Sequence, residues 1–107
     1  MSDKKRIYIS GSISKNPKAA KVRFGEAEEK LKAAGYDVIN PQKMDLILGE
    51  NAQYEEYMRA SMLLLSMCDG IYMIYGWQES KGARAELEYA IATGKYIMYG
   101  GTGEDIY

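Results

Sequence analysis

The stretch from Gly76 to Gly94, GWQESKGARAELEYAIATG, directly follows an apolar run, Ile71-Tyr72-Met73-Ile74-Tyr75. The order is a strand, a polar turn and then a helix opening at a glycine, which places Trp77, Ser80 and the first helical turn at the carboxyl end of a strand. Ligands bind at that end in open α/β sheets. Within the helix, Ala83, Leu87, Ala90, Ile91 and Gly94 share one face at about 3.6 residues per turn and are expected to pack on the sheet. Glu88 then points outward. Glu86 falls about 80° from the centre of that apolar stripe, at the boundary between core and solvent. The positive end of the helix dipole favours an ionised carboxylate there. Two readings of Glu86 stay open: a carboxylate looking into a cleft, or a first-turn glutamate chosen for helix stability.

Working outward, Arg6-Ile7-Tyr8-Ile9-Ser10 reads as a first strand running into the small-residue turn Gly11-Ser12-Ile13-Ser14. A long helix follows from about Pro17 to Ala34, with Ala20, Phe24, Ala27, Leu31 and Ala34 on one face and Gly35 as its stop. Its charged residues, Glu28 and Lys32 among them, are expected on a solvated face with i,i+4 pairs. Tyr36-Asp37-Val38-Ile39 is a short second strand ended by Asn40-Pro41. Residues 42–53 fit either a helical turn or a lid. A further helix from Tyr54 to Cys68 carries Tyr57, Ser61, Leu64, Leu65 and Cys68 on its inward row. Ser61 there either bonds back to its own helix or faces a pocket. Asp69-Gly70 breaks that helix, and Lys95 to Tyr99 gives a fourth strand before the Gly100-Gly101-Thr102-Gly103 tail. Strands alternating with helices imply a parallel sheet covered on both faces. The turn at Gly11, Ser12 and Ser14 leads into a helix start and suits an anion, but it is neither a dinucleotide fingerprint nor a P-loop.

Composition narrows the chemistry. The 107 residues make one domain, and at that size a partner subunit would help to stabilise it. Fourteen basic side chains nearly cancel fifteen acidic ones, so no basic field recruits nucleic acid. Histidine is absent, which removes the usual general base and the commonest metal ligand. The one cysteine, Cys68, allows neither an internal disulfide nor a zinc cluster. Catalysis must therefore run on carboxylates, hydroxyls, tyrosines or lysines. No apolar run approaches the roughly 20 residues of a membrane helix, and the polar N-terminus is not a signal sequence, so a cytoplasmic protein is expected. Most of the ten tyrosines and seven methionines are expected in core gaps and on amphipathic surface.

Taken in order, Ile7-Tyr8-Ile9-Ser10-Gly11-Ser12, Asn40-Pro41, Cys68-Asp69, the Gly76-Trp77-x-x-Ser80-x-Gly82-Ala83-x-x-Glu86 run and Ala90 resemble the nucleoside 2-deoxyribosyltransferase superfamily. Within it, the chain is most similar to the small deoxyribosyltransferase-like proteins of phages and bacteria. The resemblance covers nearly the whole chain. It implies a three-layer α/β/α sandwich, flavodoxin-like, on a parallel sheet of four to five strands, in a single domain over residues 1–107. It also implies a nucleoside or nucleotide ligand, no metal or cofactor, and a homo-oligomer.

In active relatives a glutamate at the position of Glu86 attacks the anomeric carbon, and a tyrosine matching Tyr8 positions it. Carboxylate nucleophiles serve glycosyl transfer without a metal, which suits a chain without histidine. Gly11, Ser12 and Ser14 would cradle the sugar or phosphate end. Ser80 and Gly82 would belong to the substrate-binding residues, as would Trp77 if it is a stacking face for a base rather than a hydrophobic plug. Relatives complete the site across a subunit interface, a role open to Ile106-Tyr107. Two departures stand out. Ser61 occupies a position where active relatives carry an aspartate that assists leaving-group protonation, and Ser80 replaces another that holds the base. Glu79 is a candidate replacement acid, whereas Asp69 is expected only to fix a turn. The expectation is an N-glycosidic-bond enzyme, either a deoxyribosyltransferase or a deoxynucleoside monophosphate N-glycosidase. The alternatives are a nucleotide-binding module that has lost turnover and a scaffold that binds no nucleotide.

Overall fold

The computed structural model describes residues 4–13, 16–49 and 51–101. Its elements run β1 (Arg6–Ser10), α1 (Pro17–Ala33), β2 (Asp37–Ile39), a 3-10 turn (Pro41–Met44) leading into α2 (Asp45–Leu48), α3 (Tyr54–Ser66), β3 (Gly70–Met73), a second 3-10 turn (Trp77–Glu79), α4 (Lys81–Ala92) and β4 (Tyr96–Tyr99). Four strands form one parallel sheet in the order β2-β1-β3-β4. The sheet is thus the flavodoxin-like one expected, at the four-strand end of the range.

Strand periodicity sorts the core into two halves, because alternate side chains point to opposite faces. Ile7 and Ile9 of β1, with Tyr72 and Ile74, pack against Ala20, Phe24, Ala27 and Leu31 of α1. On the other face Tyr8, Ile71 and Met73 pack against Leu65 of α3 and Ala83, Leu87 and Ala90 of α4. Every residue of β1 after Arg6 is buried, as befits a central strand covered on both sides.

The helix starts follow local chemistry. Pro17 opens α1, where Asn16 Oδ1 accepts from the Ala19 amide at 3.1 Å. The Glu56 carboxylate accepts from the Gln53 amide at 2.7 Å at the start of α3. After β3 the chain does not enter α4 at a glycine: Gly76, at φ 91°, turns it into the 3-10 segment, and Ser80 is the N-cap of α4.

Two side chains lie where the spacing did not put them. Ile91 is 59% exposed while Glu86 is only 7% exposed. At about 100° per residue the observed inward arc is centred between Ala83 and Ala90, leaving Glu86 about 50° to one side and Ile91 about 90° to the other. Glu28 is buried rather than solvated, because the chain leaving β2 passes over it. Asp69 behaves as expected: its carboxylate accepts from the Arg6 amide at 2.8 Å and fixes the entry to β3 beside β1.

Candidate active site

At the carboxyl end of β1, between α3, the start of α4 and the side of α1 that carries Pro17 and Phe24, a cleft of about 630 Å³ opens, within the size range of small-molecule sites. The two central strands meet there, and their crossovers leave for opposite faces: β1 feeds α1 and β3 feeds α4. That is the topological switch point of an open sheet.

Glu86 forms part of the inner wall. Tyr8 Oη donates to its Oε2 at 2.7 Å, and Ser10 Oγ donates to its Oε1 at 2.6 Å. Tyr8 and Ser10 are two apart on β1 and so share the sheet face that meets α4. Both are almost wholly buried. Each carboxylate oxygen therefore has one fixed donor and retains further lone-pair capacity. Burial pushes the Glu86 carboxyl above the ordinary value of 4.5, while the hydrogen bonds from Ser10 and Tyr8, and the nearby Ser61 hydroxyl, pull it back. The Tyr8 phenol is pushed well above 10, first by burial and then by the negative Glu86 beside it, so it remains a donor at neutral pH.

Ser61, 4% exposed, completes this wall from α3. Its Oγ donates to the Met58 carbonyl at 3.2 Å and stands close enough to the Tyr8–Glu86 pair to favour the charged form of each. Both readings of Ser61 thus hold together: it bonds back to its helix and it faces the cleft.

The mouth is built from α3 and from the start of α4. Tyr54, Tyr57 and Met58 line one side, and Ser80, Lys81 and Gly82 the other. Gly82 permits the two helices to come this close, since a Cβ there would lie 3.2 Å from Met58 Sδ and 3.5 Å from Tyr54 Oη. Ser80 Oγ accepts from the Ala83 amide at 3.1 Å. Pro41, Gln42 and Met44 form the outer wall, which settles residues 42–48 as short helical turns beside the cleft.

The expected residues divide between places. Tyr8, Gly11, Ser61, Ser80, Gly82 and Glu86 line the cleft, and Glu79 stands at its rim. Ser12 lines a larger groove of about 940 Å³ on the α1 face. Trp77 lines neither; it packs against the edge of the core on the α3/α4 side, its ring centroid 6.1 Å from that of Tyr99. Ser14, Ile106 and Tyr107 lie outside the described residues. Ser10 was not foreseen, although the alternation along β1 that turns Tyr8 toward α4 turns Ser10 the same way. Among the described residues no cluster of three metal-ligating side chains occurs, and no helix is long and apolar enough to cross a membrane.

Comparisons with known proteins bear on the fold. Residues 5–99 match the model of a family described as a domain of unknown function, DUF4406, and the chain belongs to that family. No curated protein matches the sequence. Among solved structures, the 2-deoxyribosyltransferase of Leishmania mexicana superposes with a TM-score of 0.68 at 21% identity, over 90% of this chain. The chain spans 63% of the length of that structure. The fold is deoxyribosyltransferase-like.

Proposed function

We propose that this DUF4406 chain breaks the bond between base and sugar of a deoxynucleoside or its monophosphate, with Glu86 as the nucleophile. The observation that carries the reading is the two-point hold on Glu86. A buried carboxylate bonded by Tyr8 and Ser10 cannot swing away, and it lines an open cleft. Groups held in attacking geometry gain much of the rate that enzymes achieve.

In this mechanism a Glu86 oxygen attacks the anomeric carbon as the carbon–nitrogen bond breaks, and the electron pair leaves with the base. A glycosyl ester to Glu86 results. Water or a second base then attacks the same carbon and frees the carboxylate, so the configuration is retained. Tyr8 and Ser10 donate to the carboxylate before attack and after release, and they orient it throughout. Gly11 brings the backbone of the β1 turn close to the sugar end. Tyr54 and Tyr57 offer faces to the base at the mouth, a role Trp77 does not fill from its packed position.

Ser61 favours the second reading, a nucleotide-binding module with impaired turnover. A serine supplies no acid near neutral pH, and general acid assistance contributes about 10²- to 10⁴-fold. Glu79 at the rim is the substitute acid in the enzyme reading. A homo-oligomer and a cytoplasmic location complete the proposal, the former supported by exposed Ile91, Tyr96 and Tyr99 around edge strand β4.

The test incubates the purified protein with deoxynucleosides and deoxynucleoside monophosphates, with and without a second free base, and follows base release and exchange by chromatography. Release that disappears in Glu86→Gln supports the enzyme. Ligand-dependent thermal stabilisation without release supports the binding module.

A further inference from the structure

Glu28 is a buried carboxylate on α1 that takes no part in the chemistry above. It is 9% exposed and makes three charged or polar contacts. Lys32, one turn further along α1, approaches Oε2 at 2.7 Å. Lys43 Nζ donates to Oε2 at 3.2 Å, and Asn40 Nδ2 donates to Oε1 at 3.0 Å. The bond from Lys32 and those from Asn40 and Lys43 outweigh burial and hold the carboxyl at about 2, so it is ionised wherever the protein is folded near neutral pH.

The consequence runs through Asn40. Because its Nδ2 is fixed on Glu28, its Oδ1 is turned to accept from the Gln42 amide at 3.0 Å, while its backbone carbonyl accepts from the Lys43 amide at 3.1 Å. These two bonds define the turn at residues 41–44. That turn presents Pro41, Gln42 and Met44 to the cleft, whereas Glu28, Asn40 and Lys43 do not line it. A charged side chain that does not line the cleft thus sets the shape of its outer wall.

We propose that Glu28 is a positioning residue: through Asn40 and Lys43 it latches the 41–44 turn in the shape that receives the ligand. The proposal rests on reading the cleft as the ligand site, and it extends that reading to residues that touch no ligand. The latch sets how well the ligand is held and leaves the Glu86, Tyr8 and Ser10 geometry alone, since those three side chains are fixed by β1 and α4.

The experiment compares wild type with Glu28→Ala and Lys43→Met, and with Lys43→Arg as the conservative variant. Lys43→Met, at a side chain 66% exposed, covers the case in which Glu28→Ala does not fold. Amide hydrogen exchange needs no ligand: exchange at Gln42 and Lys43 should quicken by about tenfold or more in the first two variants, while β1 and β3 amides stay as in wild type. Dissociation constants for deoxynucleoside monophosphates, measured by calorimetry, should rise by about tenfold. Wherever base release is measurable, KM should rise likewise with kcat within about twofold. Lys43→Arg should restore wild-type values.

Unchanged exchange overturns the latch, and so does faster exchange with unchanged affinity or a fall confined to kcat. Failure of the glycosidic reading is separate: it appears as binding without base release in wild type, and there the exchange and affinity arms still decide the latch. Absence of any nucleotide binding overturns both.

Discussion

The phenol of Tyr8 and the carboxylate of Glu86 meet at 2.7 Å across 78 positions of sequence. The bond joins a central strand to the first turns of the last helix at the inner wall of the cleft. A hydrogen bond to a charged group contributes about 1.5–3 kcal/mol. If that strength is expressed in the transition state, Tyr8→Phe should lower kcat by about 10- to 100-fold, with KM little changed. Glu86→Gln should reduce base release below detection while near-ultraviolet circular dichroism remains that of wild type. Full activity in Glu86→Gln would remove the carboxylate from the mechanism.

Ser10 supplies the second donor at 2.6 Å, and its removal has a signed pH consequence. Attack requires ionised Glu86, so the rate should climb with pH through the Glu86 pKa. Hydrogen bonds from Ser10 and Tyr8 lower that pKa against the upward push of burial. Ser10→Ala should therefore shift the rising limb of kcat/KM to higher pH, as should Tyr8→Phe. An unmoved limb would show that the limb belongs to another group.

Stability should respond to pH in opposite senses at the two buried glutamates. The Glu86 pKa is raised above 4.5 in the fold, so the folded state holds its proton longer. Its contribution is fully present below about 4.5 and is lost as pH rises through the folded value. The Glu28 pKa is lowered from 4.5 to about 2; its contribution is present above 4.5 and is lost as pH falls toward 2. Thermal melts across this range should show a shallower acid loss in Glu28→Gln. They should show a smaller decline above pH 4.5 in Glu86→Gln. Parallel curves for wild type and both variants would contradict the assigned directions.

Ser61→Asp places a carboxyl beside Glu86, where it could protonate a departing base. Base release should increase by about 10²-fold or more if leaving-group protonation limits turnover, and chromatography of released base measures it directly. A rate below detection in both wild type and Ser61→Asp would overturn the enzyme reading.

Gly82→Ala should separate stability from binding. Replacing glycine within a helix is stabilising by about 0.5–1 kcal/mol. The new methyl would, however, meet Met58 Sδ at 3.2 Å and crowd the mouth beside Tyr54. The melting temperature should hold or rise while KM or the dissociation constant for the nucleotide increases several-fold. Unchanged affinity would show that the ligand does not pass between Met58 and Gly82.

Much of the fold was legible because its signals are local. Apolar runs such as Ile7-Tyr8-Ile9 and Ile71-Tyr72-Met73 alternate with helical spacing in α1 and α4, and Pro17 marks a helix start. Tyr8 and Glu86 could be named from the resemblance carried by their motifs. Ser10 escapes the sequence reading and Glu28 is misread by it, for different reasons. Ser10 has a role only because α4 lies over its side of the sheet. Glu28 looked like one of many charges on α1, and only the passage of Asn40 and Lys43 beside it makes it buried.

The sequence by itself determined the parallel α/β order and the absence of histidine chemistry, since these follow from periodicity and composition, and it put Glu86 forward only through the resemblance of its motif. Tertiary structure alone decided which side chains face one cleft. The rotation of α4 about its axis buries Glu86 and exposes Ile91, and the sheet order β2-β1-β3-β4 puts Tyr8 and Ser10 within bonding distance of Glu86. Packing against the edge of the core keeps Trp77 off the lining of the cleft. Helical spacing fixes angles within an element, but the direction in which that element presents them is set by contacts distant in sequence.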